Sequence, residues 1–150
     1  MVSKETSSFD LGLAGAEVLA LGDLNADGKA DLVVADQKKF LYLCQGVGDG
    51  SFVAKGDVFV GFKVDKVLVA DFDGNGLSDI LAVNWQTRDA VIFYLKGPFS
   101  IGKSSFLSIP LKAKDVWAFQ LNDSKGLEIV WLTGENRSHG AYRLREALWN

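Results

Sequence analysis

Short apolar runs, separated by turns rich in glycine and aspartate, extend along nearly the whole chain. The runs AEVLALG (16–22), DLVVAD (31–36) and FLYLC (40–44) are typical, and none shows the 3.6-residue period of an amphipathic helix. DLVVAD and its later counterpart DILAVN are apolar at every inner position, which predicts strands that are buried on both faces. The pattern therefore predicts an all-β fold.

The order of strands and turns repeats along the chain. GDLNADGKADLVVAD (22–36) aligns with ADFDGNGLSDILAVN (70–84), and FQLNDSKGLEIVWLT (119–133) is a weaker third copy. Each copy is preceded by an apolar strand and followed by an aromatic-rich strand, so that one unit holds about four short strands. Four-stranded units of about 40 to 50 residues are typical of β-propeller blades.

The units predict blades that are permuted by one strand. They cover approximately residues 15–60, 64–110 and 113–150; the third holds three strands, and the N-terminal segment 5–14 supplies a candidate fourth. Propellers typically have about four to eight blades, so three do not close a ring. We therefore predict one propeller-type domain over residues 1–150 that closes a ring as a homo-oligomer. A dimer is favoured, in which each N-terminal strand completes the last blade of the other copy. The alternative is a segment of a longer propeller.

Two of the repeated loops follow the pattern D-x-[DN]-x-[DN]-G-x-x-D. Side chains at positions 1, 3 and 5 of a tight loop converge on one point, and glycine at position 6 permits the chain reversal. A backbone carbonyl at position 7 and an aspartate at position 9 add further oxygens, and Ca²⁺ prefers about six to eight oxygen ligands. The predicted calcium ligands are Asp23, Asn25, Asp27, the Lys29 carbonyl and Asp31 in one loop, and Asp71, Asp73, Asn75, the Leu77 carbonyl and Asp79 in the other.

Other interpretations of these loops remain open. Acidic turns that bind no ion are the alternative, because aspartate and glycine are common in turns. An EF-hand is excluded, because position 12 is Val34 or Ala82 and not a glutamate. In the third loop Gln120 and Ser124 replace ligands and only Glu128 is anionic among the ligand positions, so we expect a retained turn without calcium.

Composition narrows the possible partners. The net charge is −3, which argues against a nucleic-acid partner, since such partners require basic surface. No apolar run approaches the roughly 20 residues of a membrane span, and MVSKETSSFD does not resemble a signal peptide. The single cysteine, Cys44, lies in an apolar run and is predicted to be a buried, inert thiol.

The sequence offers little for catalysis. The one histidine, His139, lies in a predicted turn, and no nucleophile elbow or phosphate-binding loop occurs. We therefore predict a protein that is not an enzyme, with a propeller hydrolase as the least favoured reading. Tryptophans either pack between blades or stack on sugars, and Trp85 is the one that we single out for ligand contact.

The loops and the turn QGVGDGSF also resemble the FG-GAP/VCBS repeats of integrin-α-type β-propellers. The resemblance implies a propeller of about six or seven blades with calcium held between the first two strands of a blade. It further implies an extracellular or cell-surface protein for adhesion or for protein or carbohydrate recognition. We thus expect a calcium-stabilised binding module; the alternative is a self-assembling structural propeller with no ligand beyond calcium.

Overall fold

The computed structural model describes residues 10–13, 15–123, 125–134 and 143–146. Within these ranges the chain forms eleven strands and no helix, so the predicted all-β fold is confirmed. No helix in this part of the chain is long and apolar enough to cross a membrane. The strands are β1 Ala16–Gly22, β2 Asp31–Asp36, β3 Phe40–Gly46, β4 Phe52–Phe59, β5 Lys66–Ala70, β6 Asp79–Asn84, β7 Asp89–Gly97, β8 Ser100–Ser108, β9 Ala113–Phe119, β10 Glu128–Thr133 and β11 Arg143–Glu146.

The strands form three antiparallel sheets, each a meander in chain order. Sheet 1 is β1-β2-β3-β4, sheet 2 is β5-β6-β7-β8, and sheet 3 is β9-β10-β11. The first strand of sheet 1 lies beside that of sheet 2, and β5 also contacts β9. The three sheets therefore stack with their first strands on one side of the molecule. Together, the described residues form no closed barrel or ring.

Both faces of the second strands are buried, as their continuous apolar runs predict. In sheet 2, Ile80 and Ala82 of β6 pack with the core of sheet 1, whereas Leu81 and Val83 pack with sheet 3. All four side chains are fully buried. Because side chains alternate across a strand, the inner positions 80–83 have to be apolar for the strand to lie between two neighbouring sheets.

Polar and aromatic contacts join sheets 2 and 3. Lys66 of β5 forms a salt bridge with Asp115 of β9, and its ammonium group lies 5.3 Å from the centre of the Trp117 ring. Trp85 packs edge-on against Trp131 with ring centroids 6.2 Å apart. Both tryptophans thus contribute to packing between the sheets. His139 and Trp149 lie outside the described residues.

The N-terminal strand expected over residues 5–14 falls mostly outside the described residues. Residues 10–13 are described and form no strand. Leu11 and Leu13 instead pack on the outer face of sheet 1, against a small cluster that includes Cys44. Cys44 is fully buried, as predicted, and burial raises the pKa of its thiol. This thiol is therefore protonated and unreactive near neutral pH.

Candidate metal centre

Each predicted metal loop is organised by the aspartate at its first position. In the first loop (23–31), Asp23 accepts hydrogen bonds from the amides of Asp27 at 3.2 Å and Gly28 at 2.8 Å. In the second loop (71–79), Asp71 accepts equivalent bonds from Asn75 at 3.2 Å and Gly76 at 2.8 Å. Both glycines have a positive φ, of 81° and 87°, which explains the requirement for glycine at position 6. The backbone amides hold the loop closed around the carboxylate.

The acidic residue at position 9 ties each loop to its sheet. In the first loop the two carboxylate oxygens of Asp31 accept from the amides of Leu24 at 2.8 Å and Gly46 at 2.9 Å. In the second loop, Asp79 accepts from Phe72 and Leu95, both at 2.9 Å. Both aspartates are fully buried.

Sequence reasoning assigned position 9 only as a metal ligand and missed this structural role. The signal was present, because an acid opens the second strand of each sheet, directly before a run of apolar residues. In the third loop (120–128), Glu128 occupies the same position and accepts from the Leu121 amide at 2.8 Å. The acid therefore keeps this bond even where the other ligand positions have changed.

The second loop brings three carboxylates together. Asp71, Asp73 and Asp79 each offer one oxygen, and these three oxygens all lie within 4.8 Å of one another. Oxygens that bind one Ca²⁺ ion at about 2.3–2.6 Å lie within about 5 Å of each other. The donor set is made of hard oxygens, and its spacing fits a calcium ion.

The electrostatics of this cluster also favour a cation. The pKa of Asp79 is raised to about 6, first by burial and then by the charges of Asp73 and Asp71, against the opposing effect of its two amide hydrogen bonds. Ionising all three acids is therefore costly in the metal-free loop. A bound divalent cation would offset that cost.

Asn75, a further predicted ligand of the second loop, is held by two hydrogen bonds. The Asn75 side-chain oxygen accepts from the Leu77 amide at 2.7 Å, and its nitrogen donates to the Leu95 carbonyl at 2.9 Å. An amide oxygen has a second lone pair, so Asn75 keeps one acceptor position for an ion. The Leu77 carbonyl stays a predicted ligand, as does the Lys29 carbonyl in the first loop.

The first loop is arranged differently, although its sequence has the same pattern. Among the described residues, Asp23, Asp27 and Asp31 do not form a comparable group of three. Asp27 instead accepts hydrogen bonds from the Asn25 side chain at 2.9 Å and the Lys29 amide at 2.8 Å. These bonds, first that from the Asn25 side chain and then that from the Lys29 amide, lower the pKa of Asp27. An ion here would have to draw Asp27 away from its present partners.

Residues 23–82 match the family model described as FG-GAP-like repeat. This segment is therefore similar to FG-GAP-like repeats. It begins at the first position of the first loop and ends in β6, so it contains both loops that carry the calcium pattern. The resemblance inferred from the sequence is confirmed over these residues. A search of curated proteins finds no match.

A lysine ammonium group lies beside the second loop of the FG-GAP-like segment. The Lys103 ammonium group, from β8, lies 3.8 Å from an Asp73 carboxylate oxygen and 4.5 Å from the centre of the Tyr94 ring. Its side chain is 65% exposed, so the charge is largely solvated. Sequence reasoning missed this residue, because it is distant in the chain from the loop and its position depends on the pairing of β7 with β8.

Proposed function

We propose that this chain is a calcium-stabilised repeat module of the β-propeller type, without catalytic activity, that presents a surface for protein or carbohydrate recognition. The observation that carries the proposal is the grouping of Asp71, Asp73 and Asp79 in an FG-GAP-like segment. Such repeats are typical of extracellular proteins, which supports an extracellular or cell-surface location, where calcium is abundant.

The choice of calcium rests on the donors and on the form of the loop. All proposed ligands are oxygens, which favours a hard cation over zinc or copper. Magnesium requires a near-ideal octahedron at about 2.0–2.1 Å, whereas calcium accepts about six to eight ligands in a flexible arrangement. A loop that contributes carboxylate, amide and carbonyl oxygens in succession suits calcium better.

The ion would act through stability. A ligand that binds only the folded state stabilises it by about 2.7 kcal/mol when its concentration is 100 times Kd. In the second loop this stabilisation would reach sheet 2 directly, because Asp79 begins β6 and bonds to Leu95 of β7. Calcium would thus strengthen the sheet on which a recognition surface depends.

Calorimetric titration and thermal unfolding test the calcium site. We expect calcium to bind the wild-type chain and to raise its Tm, and a chelator to reverse the shift. Asp73→Ala should lose the binding at the second loop, whereas Asp57→Ala, an exposed aspartate of β4, should keep it. A wild-type Tm and titration that do not respond to calcium would refute the assignment.

The recognition role needs a separate test, because a calcium site does not identify a ligand. The packing of Trp85 against Trp131 favours a structural role for Trp85, so a sugar-stacking platform would have to lie elsewhere. A glycan array and a screen of extracellular proteins, both in calcium, cover the two ligand classes. Absence of any binding at high concentration would leave the structural alternative, in which calcium is the sole ligand.

A second candidate function is self-assembly, and exposed leucines on sheet 1 favour it. By alignment of the two loops, Leu19 and Leu21 of β1 correspond to Val67 and Val69 of β5, which pack against sheet 1. Leu19 and Leu21 are 64% and 61% exposed. A further sheet of the same type, from a second copy of the chain, would cover them as sheet 1 covers their counterparts.

Light scattering tests this self-assembly. One chain has a mass of 16.3 kDa, and a dimer would have about twice that mass. We expect the double change Leu19→Lys and Leu21→Lys to lower the mass to that of one chain. Phe106→Lys is the control, because Phe106 is 73% exposed on β8, away from this face. A wild-type chain that is monomeric at high concentration would rule out the assembly.

A further inference from the structure

The third loop rests on the second loop through its backbone. The Leu127 amide donates to the Asp71 carbonyl at 2.9 Å. A Cβ atom at Gly126 would lie 2.2 Å from the Phe72 carbonyl oxygen, and one at Gly74 would lie 2.4 Å from the Lys125 Cβ atom. Both distances are too short for real contacts. The two loops therefore meet this closely because glycine is present on each side.

We propose that residues 125–127 are a positioning element for the calcium ligands of the second loop. The inference deepens the calcium function proposed above and rests on it. Under this proposal the third loop has a structural role of its own, although it lacks most of the ligand pattern. Its backbone instead fixes the segment 71–73, which carries two of the three grouped acids.

The contacts fall on the residues that determine the site geometry. Asp71 supplies one carboxylate, and its own carbonyl is the atom that Leu127 holds. Phe72 is the residue that Gly126 touches, and the Phe72 amide is one of the two donors that hold the Asp79 carboxylate. A shift of the third loop would therefore move Asp71 and disturb Asp79 together.

The first loop provides a natural comparison. Ser78 is the counterpart of Leu127 in the alignment, but in the part of the chain that the structure describes its amide does not bond to the Asp23 carbonyl. This loop, which lacks the buttress, is also the one whose three acids do not gather. The two loops also differ in the order of asparagine and aspartate at positions 3 and 5, so the comparison agrees with the proposal and Gly126→Ala provides its test.

Gly126→Ala tests the buttress, with Gly56→Ala as its matched control. Neither glycine has a positive φ, and a Cβ at Gly56 would meet nothing within 4 Å, so only the change at Gly126 introduces a clash. We expect Gly126→Ala to weaken calcium binding at the second loop by about 5- to 150-fold, the range of typical coupling between sites. Gly56→Ala should bind like the wild type.

The titration separates the two proposals. If the wild-type chain does not bind calcium, the proposed function fails, and this inference fails with it. If the wild type binds calcium and Gly126→Ala binds equally well, the buttress is refuted and the calcium site stands. Asp73→Ala identifies which binding event belongs to the second loop.

Hydrogen exchange on the wild-type chain gives a second reading that does not depend on a variant's folding. Coupling is reciprocal, so calcium should slow exchange of the Leu127 amide. The control is the Val60 amide, which donates to the Lys39 carbonyl at 2.8 Å and lies in sheet 1's unit. A general gain in stability would slow both amides alike, whereas the proposal requires a larger effect at Leu127. Equal slowing of the two amides, in a chain that binds calcium, would overturn it.

Discussion

Removal of the charge of Lys103 should strengthen calcium binding at the second loop. In Lys103→Gln, the ammonium group 3.8 Å from the Asp73 carboxylate oxygen is replaced by a neutral amide. If that oxygen binds calcium at about 2.4 Å, the lysine charge lies at most about 6 Å from the ion. At this distance the lysine repels a divalent ion and competes with it for Asp73.

The size of the effect follows from Coulomb's law. A single and a double positive charge about 6 Å apart repel by about 1.4 kcal/mol at the dielectric constant of water, which is appropriate for so exposed a side chain. Screening at 0.15 M salt, where the Debye length is about 8 Å, roughly halves this energy. The remaining ~0.7 kcal/mol corresponds to about a threefold lower Kd. At 1 M salt, where the Debye length is about 3 Å, the gain should shrink to less than about 1.5-fold.

Calorimetric titration at the two salt concentrations measures this gain. Lys55→Gln is the control, since Lys55 is an exposed lysine of β4 in sheet 1. It changes the net charge equally and should alter Kd by far less. A Kd for Lys103→Gln that is unchanged or higher at 0.15 M salt would refute the reasoning. So would a gain that does not depend on salt, because a purely electrostatic effect has to be screened.

Two further predictions concern hydrogen bonds of carboxylates. Asp79→Asn should destabilise the chain by about 1–3 kcal/mol in urea unfolding with a chelator, because asparagine has one acceptor oxygen for two buried amides. Asp73→Asn is the control and should change the free energy of unfolding little under the same conditions. Equal stability of the two variants would contradict the structural role of position 9. Tyr42→Phe should lower the stability of the chain at neutral pH, since the Tyr42 hydroxyl donates to Asp36 at 3.0 Å. Burial alone would raise the pKa of Asp36, but the bond from Tyr42 and two amide bonds lower it below 3.8. The loss of stability in Tyr42→Phe should therefore shrink as pH falls through the folded-state pKa of Asp36. A loss that does not depend on pH would count against the bond between Tyr42 and Asp36.

The strands and their stacking were predictable because their signals are local. A run such as DILAVN needs no knowledge of its partners to show that both faces are buried, and β6 lies between sheets 1 and 3. The grouping of three acids in the second loop was predictable for the same reason, since they lie within nine residues. Contacts between distant segments carry no such signal. Lys103 reaches Asp73 through strand pairing, and Leu127 reaches Asp71 through the packing of two sheets.

The sequence pattern also did not predict the difference between the first and second loops, although that difference involves neighbouring residues. Both follow the same pattern, but the first has asparagine at position 3 and aspartate at position 5, whereas the second has the reverse order. In the first loop this order lets the Asn25 side chain donate to Asp27, which keeps that acid within the turn. In the second loop Asp73, at position 3, groups with Asp71 and Asp79. A pattern that treats the two residue types as equal does not separate these outcomes.

The acid at position 9 indicates how much of the loop depends on an ion. In all three loops this residue accepts the amide seven positions earlier, and the third loop keeps the bond with a glutamate. In the first two loops, backbone amides also donate to the position-1 aspartate. The turn thus has stabilising hydrogen bonds within the chain itself, unlike a zinc finger, which unfolds without its metal. We accordingly expect removal of calcium to lower the stability of the chain and to loosen the second loop, while the three sheets remain folded.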